Sequence, residues 1–322
     1  MKIFFTILLL LFIHLMTYSQ SEKWIVYDTA NSKVSHNLIK TMACENNGNL
    51  WFATGDCFMG GKLVCFDGIN FKIFDTINSG IPDIFITSIA FDKQGNKWFG
   101  SRYHGMSRYD GREWINYNPK NSGIADIHVT CINFDERGNM WVGTEKGLNV
   151  CTNGKWITYN KLNSALPNNN INNITFSKDG VAWVSTDEGL VRIKDGKFNL
   201  YDSKNSKLTG NTVYSVVFDK EGKMWVAFFG GIIKVDGEKW ILFDNTNTPL
   251  PQYTSYSIAI DKNNIKWIAT MQGLFRFDDN KWESYTPKNS RVPDYFINQV
   301  IVDKMNYVWL ATQSGLALLK NK

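Results

Sequence analysis

Phe134-Asp135-Glu136-Arg137-Gly138-Asn139-Met140-Trp141-Val142-Gly143-Thr144-Glu145-Lys146-Gly147-Leu148 is one copy of a block that recurs along the chain. Its tryptophan has counterparts at Trp51, Trp98, Trp183, Trp225, Trp267 and Trp309, and the series is spaced by 47, 43, 42, 42, 42 and 42 residues. A fixed period of this size marks a repeat architecture. Six residues before the tryptophan stands a carboxylate (Glu45, Asp92, Asp135, Asp219, Asp261, Asp303), with Ser177 as the exception. Three residues before it stands Gly48, Gly95, Gly138, Gly180 or Gly222, then Asn264 and Asn306. Gly and Asn both tolerate the positive φ of a tight hairpin, so each copy predicts a strand, a turn and a second strand carrying the tryptophan.

Working outward, a glycine (Gly61, Gly105, Gly147, Gly189, Gly231, Gly273, Gly315) opens a third short strand in every copy. A second turn follows, at Asp67-Gly68, Asp110-Gly111, Asn153-Gly154, Asp195-Gly196 or Asp236-Gly237, with the composition of a type I′ turn. A fourth strand then carries aromatics three apart, such as Trp114 and Tyr117, or Trp156 and Tyr159. Four short antiparallel strands in about 42 residues make one blade of a β-propeller. The seventh copy reaches Lys322 without a fourth strand, while Trp24-Ile25-Val26-Tyr27 has the fourth-strand pattern and precedes Trp51 by the usual interval. The expected fold is therefore an all-β, seven-bladed propeller over residues 20–322, its ring closed by that N-terminal strand, which removes the open sheet edges. All twelve tryptophans fall on the second and fourth strands, where they predict packing between blades rather than ligand contacts.

The block Phe-Asp-x-x-Gly-Asn-x-Trp-Val-Gly-Thr-x-x-Gly-Leu resembles the two-component regulator propeller repeat, and the resemblance extends over essentially all of the chain after its leader. It implies the extracytoplasmic sensor of a hybrid two-component system, often responsive to oligosaccharides. Such sensors usually carry two propellers, an immunoglobulin-like domain, a membrane span and a kinase. These 322 residues hold one propeller and no kinase motif, so the resemblance carries over the sensor-type fold and binding on a propeller face, in concert with a separate membrane sensor or envelope complex.

Composition agrees with this reading. Length alone would suggest two domains of roughly 100–200 residues each. A content of 43 % apolar, 20 % charged and 14 % aromatic residues with 25 Gly suits short strands and tight turns. Residues 1–19 read as a signal peptide: Lys2 supplies the positive end, Ile3 to Ile13 the apolar core, and Thr17-Tyr18-Ser19 the cleavage site. No cysteine follows to suggest a lipid anchor, and the mature chain is expected to be exported, periplasmic or secreted. Export and a net charge of only +5 argue against nucleic acid. The cysteines (Cys44, Cys57, Cys65, Cys131, Cys151) lack metal-type spacing and read mainly as small apolar fillers; Cys57 and Cys65 lie close enough in sequence to bridge one loop.

The seven copies also serve as an internal alignment. An Asn followed by Ser or Thr precedes each tryptophan by 20 residues (Asn31, Asn78, Asn121, Asn163, Asn205, Asn247, Asn289), which predicts a turn whose side chains satisfy loop backbone. In a propeller the fourth-to-first and second-to-third connections share one face, and there the copies differ. The loop between Thr54 and Gly61 is the longest, and blade two inserts Arg102-Tyr103-His104. His36, His104 and His128 fall on this face, with Glu145 and Asp56 near the latter two. So do Phe85, Tyr214, Tyr253, Tyr256, Tyr295 and Phe296 at first-strand entrances, and Phe58, Tyr103, Phe228, Phe229 and Met271 in short loops. The candidate ligand-binding set is Phe58, Phe85, Tyr103, His104, His128, Tyr214, Phe228, Phe229, Tyr256 and Met271. With Asn170, Gln272 and Gln313 nearby, it suits a sugar face or a peptide groove. The leading expectation is a non-enzymatic binding module that recognises an oligosaccharide or protein partner around blades one to three, with no cofactor and no metal. The alternatives are a lyase or hydrolase using a His/carboxylate metal site at His104 and His128, as in the seven-bladed virginiamycin B lyases, and a scaffold subunit of an envelope complex.

Overall fold

The computed structural model describes residues 23–55, 60–252 and 255–320. Among these, 28 strands form seven antiparallel sheets of four. Six sheets follow chain order, as in Val129–Phe134, Met140–Thr144, Gly147–Thr152 and Lys155–Tyr159. The seventh joins Ile297–Val302, Val308–Thr312 and Leu316–Lys320 to Lys23–Tyr27 from the other end of the chain, with Trp24 opposite Leu319 and Tyr27 opposite Leu316. The expected closure is present. The innermost strands lie one against the next round a complete circle, Ile297–Val302 meeting Ile39–Cys44. Among the described residues no helix is long and apolar enough to cross a membrane.

Turn chemistry explains the regularity. Gly48, Gly95, Gly138, Gly180 and Gly222 have φ between 76° and 99°, and Asn264 and Asn306 take φ 64° and 66° at the same place. The carboxylate before each turn closes it: Asp219 Oδ1 accepts the amides of Glu221 (3.1 Å) and Lys223 (2.8 Å), and its Oδ2 accepts Trp225 Nε1 at 3.1 Å. The same carboxylate–indole bond recurs at Asp92–Trp98 and Asp303–Trp309, both 2.9 Å. Where Ser177 replaces it, the hydroxyl still takes the Val181 amide at 3.2 Å. The second turn departs from expectation. Only Asn153-Gly154 and Asp195-Gly196 place both residues at positive φ. At Asp67 and Asp110 the side chain instead accepts amides two and three residues on, an Asx turn that needs no left-handed aspartate.

The core is distributed between blades. Trp51 packs with Ile86, Phe99 and Tyr109 of the next blade, and Trp225 with Leu250 and Ile268. Polar side chains of the inner strands tie neighbours together: the amides of Ile132, Val300 and Met42 donate to Ser88 (2.9 Å), Ser257 (3.3 Å) and Gln299 (2.7 Å) of the preceding blade. In every blade the Asn of the fourth-to-first loop spans its own turn. Asn121, for example, accepts the Asn118 amide at 2.8 Å and donates to the Asn116 carbonyl at 2.9 Å. Cys65 is a free thiol pushed up to about 11 by burial, then by Glu45 and Asp67. Cys57, like the leader, lies outside the described residues, and so does the expected Cys57–Cys65 bridge.

Candidate functional site

One fault in the pairing builds the site. In all seven blades the register between first and second strands shifts around the second residue of the first strand. A β-bulge there leaves that residue unpaired and re-aims its side chain. The residues concerned are Lys40, Thr87, Thr130, Asn172, Tyr214, Tyr256 and Asn298, and all line the central channel, a cavity of about 680 Å3. Four of them knit the ring. Thr87, Thr130, Asn172 and Asn298 donate to the carbonyls of Val129, Ile171, Val213 and Ile39 in the next blade. In blades five and six the equivalent residue is tyrosine, and the ring becomes aromatic.

Two groups of candidates result, on different arcs of the loop face. The first lies on blades two and three. The Phe85 and Tyr103 rings are 5.9 Å apart, and Tyr103 meets the His128 imidazole edge-on at 6.0 Å. His104 Nδ1 is 3.3 Å from Asp83, and His128 Nδ1 is 3.2 Å from Glu145. The histidines therefore engage separate carboxylates, and Asp83 is already committed as a turn cap for the amides of Phe85 (2.9 Å) and Tyr103 (3.1 Å). Among the described residues no three His, Cys, Asp or Glu side chains are grouped to hold a metal ion. His36, the third histidine, caps a turn in the same way, its Nδ1 accepting the Leu38 amide at 3.0 Å.

The second group lies on blades four to seven. Tyr214 and Tyr256 meet edge to face at 5.4 Å, and Phe296 stacks on Tyr256 at 5.5 Å. Asn170 and Asn172 both donate to Asp187, at 2.7 and 2.9 Å. Burial, reinforced by Tyr256 and Asp187, raises the Tyr214 hydroxyl above the ordinary tyrosine range. Phe229 and Met271 stand exposed on the short loops of blades five and six.

Phe228 requires a correction. Other blades place Thr or Ser there to close the loop, as Thr270 does by donating to the Gly273 carbonyl at 2.8 Å. Phe228 is 0 % exposed and packed inside the blade with Leu190, Leu208 and Ile233, so it offers no surface on the loop face. Phe58 and Tyr253 lie outside the described residues. Sequence reasoning missed Asn172 and Asp187 as members of the aromatic group, and Lys40, Thr87, Thr130 and Asn298 as channel lining. The available signal was the position eleven residues before each repeated tryptophan, which reads Lys, Thr, Thr, Asn, Tyr, Tyr, Asn round the ring.

Residues 123–146 and 207–230, in the third and fifth blades, match the two-component regulator propeller family. Two of the seven blades thus carry a two-component regulator propeller repeat. No curated protein matches the chain. Among solved structures, it superposes on the extracellular domain assigned to the hybrid two-component system BT3049 of B. thetaiotaomicron, with TM-score 0.77 and 20 % identity over 94 % of this chain and 42 % of that one. PorZ, a surface component of the type-IX secretion system of Porphyromonas gingivalis, gives 0.73 and 19 % over 91 % and 48 %. Virginiamycin B lyase of Staphylococcus aureus gives 0.73 and 14 % over 93 % and 99 %. At these identities the likeness establishes the fold. The chain spans less than half of the two-component and PorZ structures, which extend beyond this one ring.

Proposed function

We propose that the chain is an exported, non-enzymatic binding module of the sensor type, which takes an oligosaccharide or protein partner on its loop face. One observation carries this. Tyr103, Ile127, Phe229, Met271 and Tyr295, each between 38 and 42 % exposed, stand on the loops of five blades on one face. Exposed apolar side chains on one loop face, amid Asn, Asp and Gln, have the composition of a binding surface. The extracellular setting of the two-component structures and the surface location of PorZ support export and a recognition role. The reading includes both arcs, blades four to seven as well as one to three.

A glycan array on the purified protein, followed by titration of the responding oligosaccharide into Tyr103→Ala and Phe229→Ala, tests the proposal, with envelope-protein capture by the same variants as the protein arm. Loss of binding in either variant supports it. A blank array with capture unaffected by both substitutions overturns it in favour of a scaffold that docks elsewhere. The lyase or hydrolase alternative has its own check: metal content of the protein and of His104→Ala and His128→Ala, where a stoichiometric divalent ion lost in both variants would displace the binding-module reading.

A further inference from the structure

Asp187 sits partly exposed on the second-to-third-strand turn of blade four, bonded to Asn172, which lines the channel. Asn172 Nδ2 donates to Oδ1 at 2.9 Å and Asn170 Nδ2 to Oδ2 at 2.7 Å, so both oxygens are held in place by neutral amides. The loop is pinned as well, because Thr212 Oγ1 donates to the Asp187 carbonyl at 3.3 Å. Among the described residues no lysine, arginine or histidine pairs with this carboxylate. Its charge is fixed in position and uncompensated. Tyr214 of the next blade is close enough to feel this charge, and Tyr256 of the blade beyond meets Tyr214 edge to face, with Phe296 stacked on Tyr256. Both tyrosines line the channel. With its hydroxyl raised by burial, Tyr256 and Asp187, the Tyr214 ring stays neutral and keeps the electron-rich face of a phenol.

An immobile carboxylate flanked by aromatic rings at the mouth of a cavity is complementary to a positive charge carried on an apolar body. The carboxylate supplies Coulombic attraction, and the ring quadrupoles attract the cation's polarised C–H or N–H surface. A neutral ligand would leave the anion unanswered as it displaced water from it. The lysine of the same ring, Lys40, lies in blade one on the far arc, where it disfavours a cation on that side and not beside Asp187. The geometry points to a site for an organic ammonium group at the channel mouth, held between Asp187 and the rings of Tyr214 and Tyr256. This inference goes beyond the partner reading and does not rest on it, because it concerns a small cation in the mouth rather than a partner spread over the loops.

Calorimetric titration of the whole protein with choline, with n-butylammonium, and with 3,3-dimethylbutan-1-ol, the uncharged isostere of choline, tests it. At least one ammonium compound is expected to bind about tenfold or more tightly than the alcohol, and choline against n-butylammonium separates a quaternary from a primary preference. Asp187→Asn and Tyr256→Ala should each weaken that binding about tenfold, while Tyr256→Phe, which keeps the ring, retains it. Alcohol and ammonium binding equally, no binding of either ammonium, or binding unchanged in Asp187→Asn overturns the site. Should Asp187→Asn fail to fold, the charged-versus-uncharged comparison on the unaltered protein decides alone. A blank glycan array and envelope-protein capture unaffected by both substitutions, together with positive choline binding, would sink the partner proposal and leave this one standing, and the reverse result would do the opposite.

Discussion

Lys266 is the one fully buried lysine among the described residues. Its ammonium meets Asp279 and lies 4.8 Å from the Trp225 ring centre, while Lys234 reaches the same carboxylate at 3.4 Å. A buried charge is tolerated when paired, yet replacing it by an apolar group of similar volume is often neutral or better. Lys266→Met is therefore expected to change stability by less than about 1 kcal/mol or to raise it. Asp279→Ala, which strands the ammonium, should cost on the order of 1–3 kcal/mol, below the range for a wholly buried pair because Asp279 is partly exposed. Urea unfolding of the two variants checks the contrast. Asp75 makes a pH prediction. The Lys62 ammonium at 2.6 Å, followed by the amides of Asn78 and Ile77, lowers its carboxyl to about 2. The folded value lies below the unfolded one of about 3.9, so this contribution is complete above about pH 4 and is lost as pH falls toward 2. Thermal melts from pH 5 to 2.5 should show a shallower acid decline in Asp75→Asn than in the parent. At this scale much was legible. The −6 carboxylates and the turn asparagines act locally, so their partners lie within a few residues in sequence. Phe228 was not legible, because its place in the interior depends on side chains from three other strands.

Among elements, the N-terminal strand has the most consequence. Lys23–Tyr27 completes the last blade, where Trp24 packs against Tyr285 and Tyr27 stacks on Trp309 while touching Phe66 of blade one. Deleting residues 23–28 removes one buried and one half-buried aromatic and bares the edge of Leu316–Lys320, and should lower the melting temperature by on the order of 10 °C. An unchanged melt in differential scanning calorimetry would contradict the closure. The strand was recognisable because its aromatic spacing and its interval to Trp51 repeat those of every other blade. The bulge on each inner strand was not. An alternating pattern assigns the second residue to one face or the other, and a bulge is precisely a break in that alternation.

For the whole molecule, a ring resists opening only as well as its weakest seam. Between blades seven and one the links include Asn298 to the Ile39 carbonyl (2.8 Å) and Gln299 to the Met42 amide (2.7 Å). Asn298→Ala combined with Gln299→Ala should cost about 2–3 kcal/mol and loosen this seam first. Hydrogen exchange should then rise in the strands Ile39–Cys44 and Ile297–Val302 before it rises in blades three and four. The sequence alone determined the period, the number of blades, the closing strand and the face on which the copies vary, because turn chemistry and hydrophobic spacing act over a few residues. Only the tertiary structure decided which variable residues meet. It drew His104 and His128 to separate carboxylates, buried Phe228, and gathered Asn172, Asp187, Tyr214, Tyr256 and Phe296 from four blades at one mouth. The physical reason is that contacts round the ring join residues a whole blade apart, through the bulges of the inner strands, which are not written in the local pattern.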